Sequence, residues 1–109
     1  MSNDMEAGSH YSIDASGRAS VSGELTLDTV ADVFRQAEDS ARRGQQPLEV
    51  DLAGVTRVDS SGLALILEWQ ARANRNRQHL KLSNAPADLL SLAGLCEAAG
   101  LLQLNGRAA

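Results

Sequence analysis

The stretch from Val58 to Leu67 constrains the fold most strongly, because it places an acid, two hydroxyls and a glycine directly before an apolar run. Asp59, Ser60 and Ser61 are all good N-cap residues, and the first turn of a helix offers unpaired amides and a positive dipole end to such groups. Apolar and polar residues alternate from Leu48 to Leu52, just before this stretch. The pattern therefore predicts a buried strand, a tight turn and then a long helix.

Strand and helix patterns alternate along the rest of the chain, which predicts an α/β fold with a mixed β-sheet and helices packed against it. Thr26 or Asp28 can cap the first helix, and Gly44 can end it. The predicted elements are a hairpin of Tyr11–Ile13 and Ala19–Val21, a helix from Asp28 to about Arg43, a strand around Leu48–Leu52, a helix from about Ser61 to Arg75, a strand at His79–Ser83, a helix at Ala87–Leu95, and a short strand or apolar tail at Leu101–Leu104.

Length and composition place the chain among single-domain proteins. Of its 109 residues, 1–10 lack apolar periodicity and are expected to form a mobile tail, and 11–109 form one domain. A net charge of -4 argues against a nucleic-acid partner. The apolar run Leu63–Leu67 is too short for direct membrane insertion. A single cysteine, Cys96, and the absence of a signal-like start predict a cytoplasmic protein.

Little in the sequence points to catalysis. His10 and His79 are the only histidines, so neither a metal triad nor a Ser-His pair is apparent. Cys96 lies among small apolar residues, which is typical of a buried and inert thiol. Glycine-rich phosphate-binding motifs are absent. We therefore expect a protein without enzymatic activity, metal or cofactor.

The acid, the two serines and the glycine permit two interpretations. In the first, one of them caps the helix and the rest form the turn. In the second, a hydroxyl left free beside Gly62 forms part of a docking surface, because glycine lets a partner approach the backbone closely. A single cap needs only one such residue, and three stand in a row here.

The apolar residues of the following helix cover an arc wider than one face can bury, on the order of 200° against a usual stripe of about 100°. Either this helix is sunk in its own core, or Leu65 and Trp69 form an exposed docking ridge beside the serines. Tryptophan is favoured at interfaces, which favours the ridge. An exposed ridge would also allow the isolated chain to form a homodimer.

The Asp-Ser-Ser-Gly-Leu run at 59–63, together with the strands before and after it, resembles the signature of STAS domains, the family of anti-sigma-factor antagonists and sulfate-transporter tails. The resemblance extends from about Ser20 to Leu104 and implies the STAS fold. It also implies that Ser61 matches the serine phosphorylated in anti-sigma-factor antagonists and that Asp59 matches the acid before it. Ser60 is then expected to act in docking.

Within that family, the Arg-Val-Asp-Ser-Ser-Gly-Leu-Ala-Leu wording at 57–65 is similar to that of the STAS subunits of Mla-type phospholipid ABC transporters in Gram-negative bacteria. This similarity implies a cytoplasmic subunit that binds the transporter ATPase through Asp59, Ser60, Ser61, Gly62, Leu65 and Trp69. Such a subunit would associate with the inner membrane only through the complex. Two alternatives stay open: an anti-sigma-factor antagonist switched by a serine kinase at Ser61, and a small nucleotide-binding protein.

Overall fold

The computed structural model describes residues 8–95, in which two successive strands are followed by helices and strands in alternation. The elements are β1 (His10–Ile13), β2 (Arg18–Leu25), α1 (Val30–Arg42), β3 (Glu49–Val58), α2 (Ser60–Arg75), β4 (Lys81–Ser83) and α3 (Ala87–Leu95). Over these residues, no helix is both long and apolar enough to cross a membrane.

The four strands form one mixed sheet in the order β1-β2-β3-β4. β1 and β2 are antiparallel, whereas β2, β3 and β4 run parallel to one another. Parallel neighbours need a crossover, and α1 and α2 provide the two crossovers. The predicted mixed sheet with packed helices is therefore confirmed.

The helices cover one face of this sheet. Along the first half of β2 and the first half of β3, every second residue is buried, as in Ala19, Val21, Val50 and Leu52. The residues between them are polar and at least partly exposed, so the opposite face meets solvent. The apolar face packs with the inner sides of the helices into one core, whose largest fully buried side chains are Leu25, Leu52, Ile66, Leu82 and Leu89.

The start of α1 differs from its predicted cap. Its N-cap is Thr29 rather than Thr26 or Asp28, and no side chain caps the first amides. The backbone carbonyl of Thr26 accepts instead from the amides of Thr29 and Val30. The predicted stop is confirmed, because Gly44 has a φ of +84° and its amide donates to Ala41.

Two predicted boundaries also move. Ser9 is buried and His10 pairs with Ser22 in the sheet, so the fold begins before residue 11. The strand predicted around Leu48–Leu52 begins one residue later, at Glu49, and Leu48 lies outside it with 54% of its surface exposed. The predicted apolar segment Leu101–Leu104 and Cys96 lie outside the described residues.

Candidate functional site

The predicted cap sequence lies where the carboxyl ends of two parallel strands meet. Leu25, the last residue of β2, is the register partner of Val58, the last residue of β3. The amide of Asp59 donates to the carbonyl of Leu25 at 3.2 Å, and α2 begins at the next residue. Residues 26–29 and 59–61 therefore lie side by side at one end of the sheet, and we call them the tip.

Asp59 is the N-cap of α2 and also joins the two halves of the tip. Its Oδ1 accepts from the amides of Ser61 at 2.9 Å and Gly62 at 3.2 Å. Its Oδ2 accepts from the amide of Leu27 at 3.0 Å. The hydrogen bond from Leu27, followed by those from Gly62 and Ser61, holds the pKa of the Asp59 carboxyl below its usual range. The carboxylate is therefore a structural clamp whose oxygens are already occupied.

The first half of the tip is fixed by its own hydrogen bonds. The Oγ1 of Thr29 accepts from the amide of Thr26 at 3.0 Å and donates to the carbonyl of Glu24 at 2.7 Å. With the bond from Leu27 to Asp59, these contacts fix the chain on both sides of Leu27. The side chain of Leu27 nevertheless stands 74% exposed.

Gly62 has a packing role. A Cβ at this position would lie 2.2 Å from the carbonyl oxygen of Leu25 and 2.9 Å from its Cβ. Glycine therefore lets the first turn of α2 press against the end of β2. We expected this glycine to admit a partner, and that expectation is wrong: Gly62 is buried, and its own chain makes the close approach.

The two serines differ in exposure. Ser60 is exposed and Ser61 is partly buried. Within residues 8–95, neither hydroxyl forms a hydrogen bond, because Asp59 already serves the capping amides. The capping interpretation is confirmed for Asp59, which is the N-cap of α2. Ser60 is left at the surface, and its role in docking stays a prediction.

The expected ridge of Leu65 and Trp69 is wrong. Leu65 is 6% and Trp69 is 8% exposed, and both belong to the core. The reason is the position of α2, which packs against the sheet, α1 and α3 and so buries a wide arc. Trp69 packs against Tyr11, with ring centroids 5.9 Å apart. With both side chains inside, the physical basis for a homodimer through this ridge disappears.

A cavity of about 320 Å³ lies near the C-terminal ends of α1 and α2. Tyr11 and Trp69 form part of its wall, and burial raises the pKa of Tyr11 to about 12, so the phenol stays neutral. Arg72 stands at the same place, bonded to Glu38 and Glu68, and Arg75 pairs with Glu68. The two arginines at the end of α2 are therefore paired with carboxylates of the same chain, as is common for a solvent-exposed helix end.

Metal-ligand geometry does not occur in the described part of the chain, where no three His, Cys, Asp or Glu side chains converge.

Leu27 is the tip residue that the sequence pattern did not predict. Its position continues the period-two pattern of Leu25, which would direct it inward. The turn at residues 26–29 brings it out, and the hydrogen bond from the Leu27 amide to Asp59 helps to hold that turn.

Comparison with known proteins agrees with the α/β fold described above. The solved structure of the anti-sigma factor antagonist SpoIIAA in its unphosphorylated form superposes with a TM-score of 0.60 at 14% identity, over 81% of this chain and 83% of that one. At this identity the similarity concerns the fold. No match was found among curated proteins. A family profile described as "Mlab, STAS domain" matches residues 8–104. The chain therefore belongs to the MlaB-like STAS domain family.

Proposed function

We propose that this chain is the non-enzymatic STAS subunit of an Mla-type phospholipid ABC transporter, and that it binds the transporter's cytoplasmic ATPase through the tip. The observation that carries the proposal is the tip itself, a loop pair held together by hydrogen bonds at the end of the sheet. Ser60 is exposed at its surface, and its hydroxyl has no hydrogen-bond partner within residues 8–95. The match of residues 8–104 to the MlaB-like profile supports the choice of partner.

The mechanism is a shift of populations. Binding at the tip favours the assembled, hydrolysis-competent ATPase only to the extent that the tip binds that state more tightly. The chain would work at the cytoplasmic face of the inner membrane, held there by the complex, and would support the lipid asymmetry of the outer membrane. Its contribution is recognition, so we expect no turnover by the isolated chain.

Substitution of Ser60 by arginine tests this surface. The bulky charged side chain would occupy the exposed start of α2 without entering the core. We expect Ser60→Arg to lose binding to the ATPase encoded in the same genome, as measured by pull-down and by titration. The matched control is Ser20→Arg, at an exposed serine on the open face of β2, which should bind as the wild type does. Equal binding by both variants would exclude the tip.

A second candidate function is a phosphorylation switch, with the chain acting as an anti-sigma-factor antagonist. Ser61 favours it, because its partly exposed hydroxyl forms no hydrogen bond within residues 8–95. A phosphate there would lie in the field of the helix start but close to the Asp59 carboxylate, and would change the charge seen by a partner.

The switch has a direct test. Incubation with a partner serine kinase and ATP should add one phosphate to the wild type and none to Ser61→Ala, as measured by mass spectrometry. Phosphate on Ser61→Ala, or none on either protein, would count against the switch. Neighbouring genes for a permease, an ATPase and a lipid-binding protein would favour the transporter instead.

A further inference from the structure

We propose that Leu27 is the apolar anchor of the tip and that the partner receives it in an apolar pocket rimmed by cationic side chains. This inference rests on the proposed function and gives the chemistry of the partner surface. Ser60 then lies beside the anchor rather than at the centre of the contact.

The first support is the combination of exposure and rigidity at Leu27. Its side chain is 74% exposed, although hydrogen bonds through Asp59 and Thr29 fix the backbone around it. Exposed apolar groups on mobile loops must be ordered when they bind, and this ordering lowers affinity. At Leu27 the backbone is already held by hydrogen bonds before a partner arrives, so that part of the cost is not paid on binding.

The second support is the contrast with Leu48, the other large apolar side chain with high exposure among the described residues. Single exposed leucines are ordinary on protein surfaces. Leu48, however, rests against Gly17, where a Cβ would meet its side chain at 3.2 Å. The main-chain amide of Leu27, in contrast, donates to the carboxylate of Asp59, the acid of the family signature. The same acid that caps α2 thus presents this leucine.

The third support is the charge around Leu27. Asp28 and Glu24 are exposed, and the Asp59 carboxylate lies directly beneath the loop. Arg57 is the nearby cation, and it stands opposite Glu24 in the β2–β3 ladder. Among residues 8–95, the charges placed here are thus three carboxylates and one guanidinium group. A partner surface of complementary potential carries lysine or arginine side chains around the leucine pocket.

The test compares affinities for the cognate ATPase by titration at low and high salt. Leu27→Ser should weaken binding by about tenfold to a hundredfold, the loss expected from exposing one buried leucine side chain. Leu27→Met should retain binding. Leu48→Ser, the matched control, should stay within about twofold of the wild type. Asp28→Lys should weaken binding at low salt, and the difference should shrink as salt is added.

Each outcome decides between the two proposals. If Ser60→Arg abolishes binding but Leu27→Ser does not weaken it, the anchor is refuted and the proposed function stands. Equal losses of ATPase affinity for Leu27→Ser and Leu48→Ser also refute the anchor, because any exposed leucine would then contribute to binding as much as Leu27. Tighter binding by Asp28→Lys refutes the cationic rim. A wild-type chain that does not bind the ATPase overturns both proposals. Leu27→Ser should unfold at the wild-type midpoint, because its side chain stands outside the core.

Discussion

Gly62 offers the sharpest stability prediction, because the substitution to alanine places one known atom against one known obstacle. The new Cβ would lie 2.2 Å from the carbonyl oxygen of Leu25, whereas an ordinary contact begins at 3.4 Å. That oxygen belongs to the backbone of β2 and accepts from the amide of Asp59. A side-chain rotation cannot relieve the overlap, so the start of α2 must move away from the sheet.

The magnitude follows from opposing contributions. Alanine in a helix is favoured over glycine by about 1 kcal/mol. Overpacking costs about 1–3 kcal/mol, and the upper end applies when the obstacle is backbone. The movement also strains the bonds from Ser61 and Gly62 to Asp59, each worth about 1 kcal/mol. We expect the free energy of unfolding of Gly62→Ala to fall by about 2 kcal/mol if both bonds survive and by about 4 kcal/mol if both are lost.

Urea unfolding followed by circular dichroism measures this change. The control is Gly94→Ala in α3, where an added Cβ meets nothing within 4 Å and the same substitution should stabilise the chain slightly. Because the tip moves with the start of α2, Gly62→Ala should also weaken ATPase binding. A Gly62→Ala protein as stable as the wild type would refute the close approach of α2 to β2.

Two further predictions concern the tip and the sheet edge. Folding lowers the pKa of Asp59, so its contribution to stability is present above the unfolded pKa of about 3.9 and is lost as pH falls through the folded value. Asp59→Asn should therefore be less stable at pH 7 and lose less stability on acidification, and parallel pH profiles would contradict this. Gln36 covers the edge of β1 that pairs with no strand in the described part of the chain. It accepts from the amide of Tyr11 at 2.9 Å and donates to the carbonyl of Ser9 at 3.0 Å. The free energy of unfolding of Gln36→Ala should be about 1–3 kcal/mol lower than that of the wild type. The variant should also self-associate through that edge in sedimentation experiments, whereas a stable monomer would refute the role of Gln36.

Features that depend on neighbouring residues could be predicted from the sequence. The β1–β2 hairpin follows from its turn, where Asp14 Oδ1 accepts from the amides of Ser16 and Arg18. The end of α1 follows from Gly44, whose positive φ suits a residue without a side chain. The run of cap-forming residues likewise places the start of α2 within one residue of the prediction.

Features that depend on distant contacts could not be predicted in this way. Whether Leu65 and Trp69 face solvent depends on how many elements surround α2, and their spacing along the helix is the same in either case. The exposure of Leu27 depends on a hydrogen bond to a residue 32 positions away. The packing of Gly62 against Leu25 is also a contact between separate elements, so the sequence pattern showed the glycine but not its neighbour.

We propose that the tip is the surface that binds the ATPase. Methyl and amide NMR shifts of the labelled chain, recorded as the cognate ATPase is added, test it residue by residue. We expect the changes to centre on Leu27, Ser60 and the exposed Ala64 one turn further along α2. Changes confined to the opposite end of the sheet, around Leu48, with an unperturbed tip would contradict the claim.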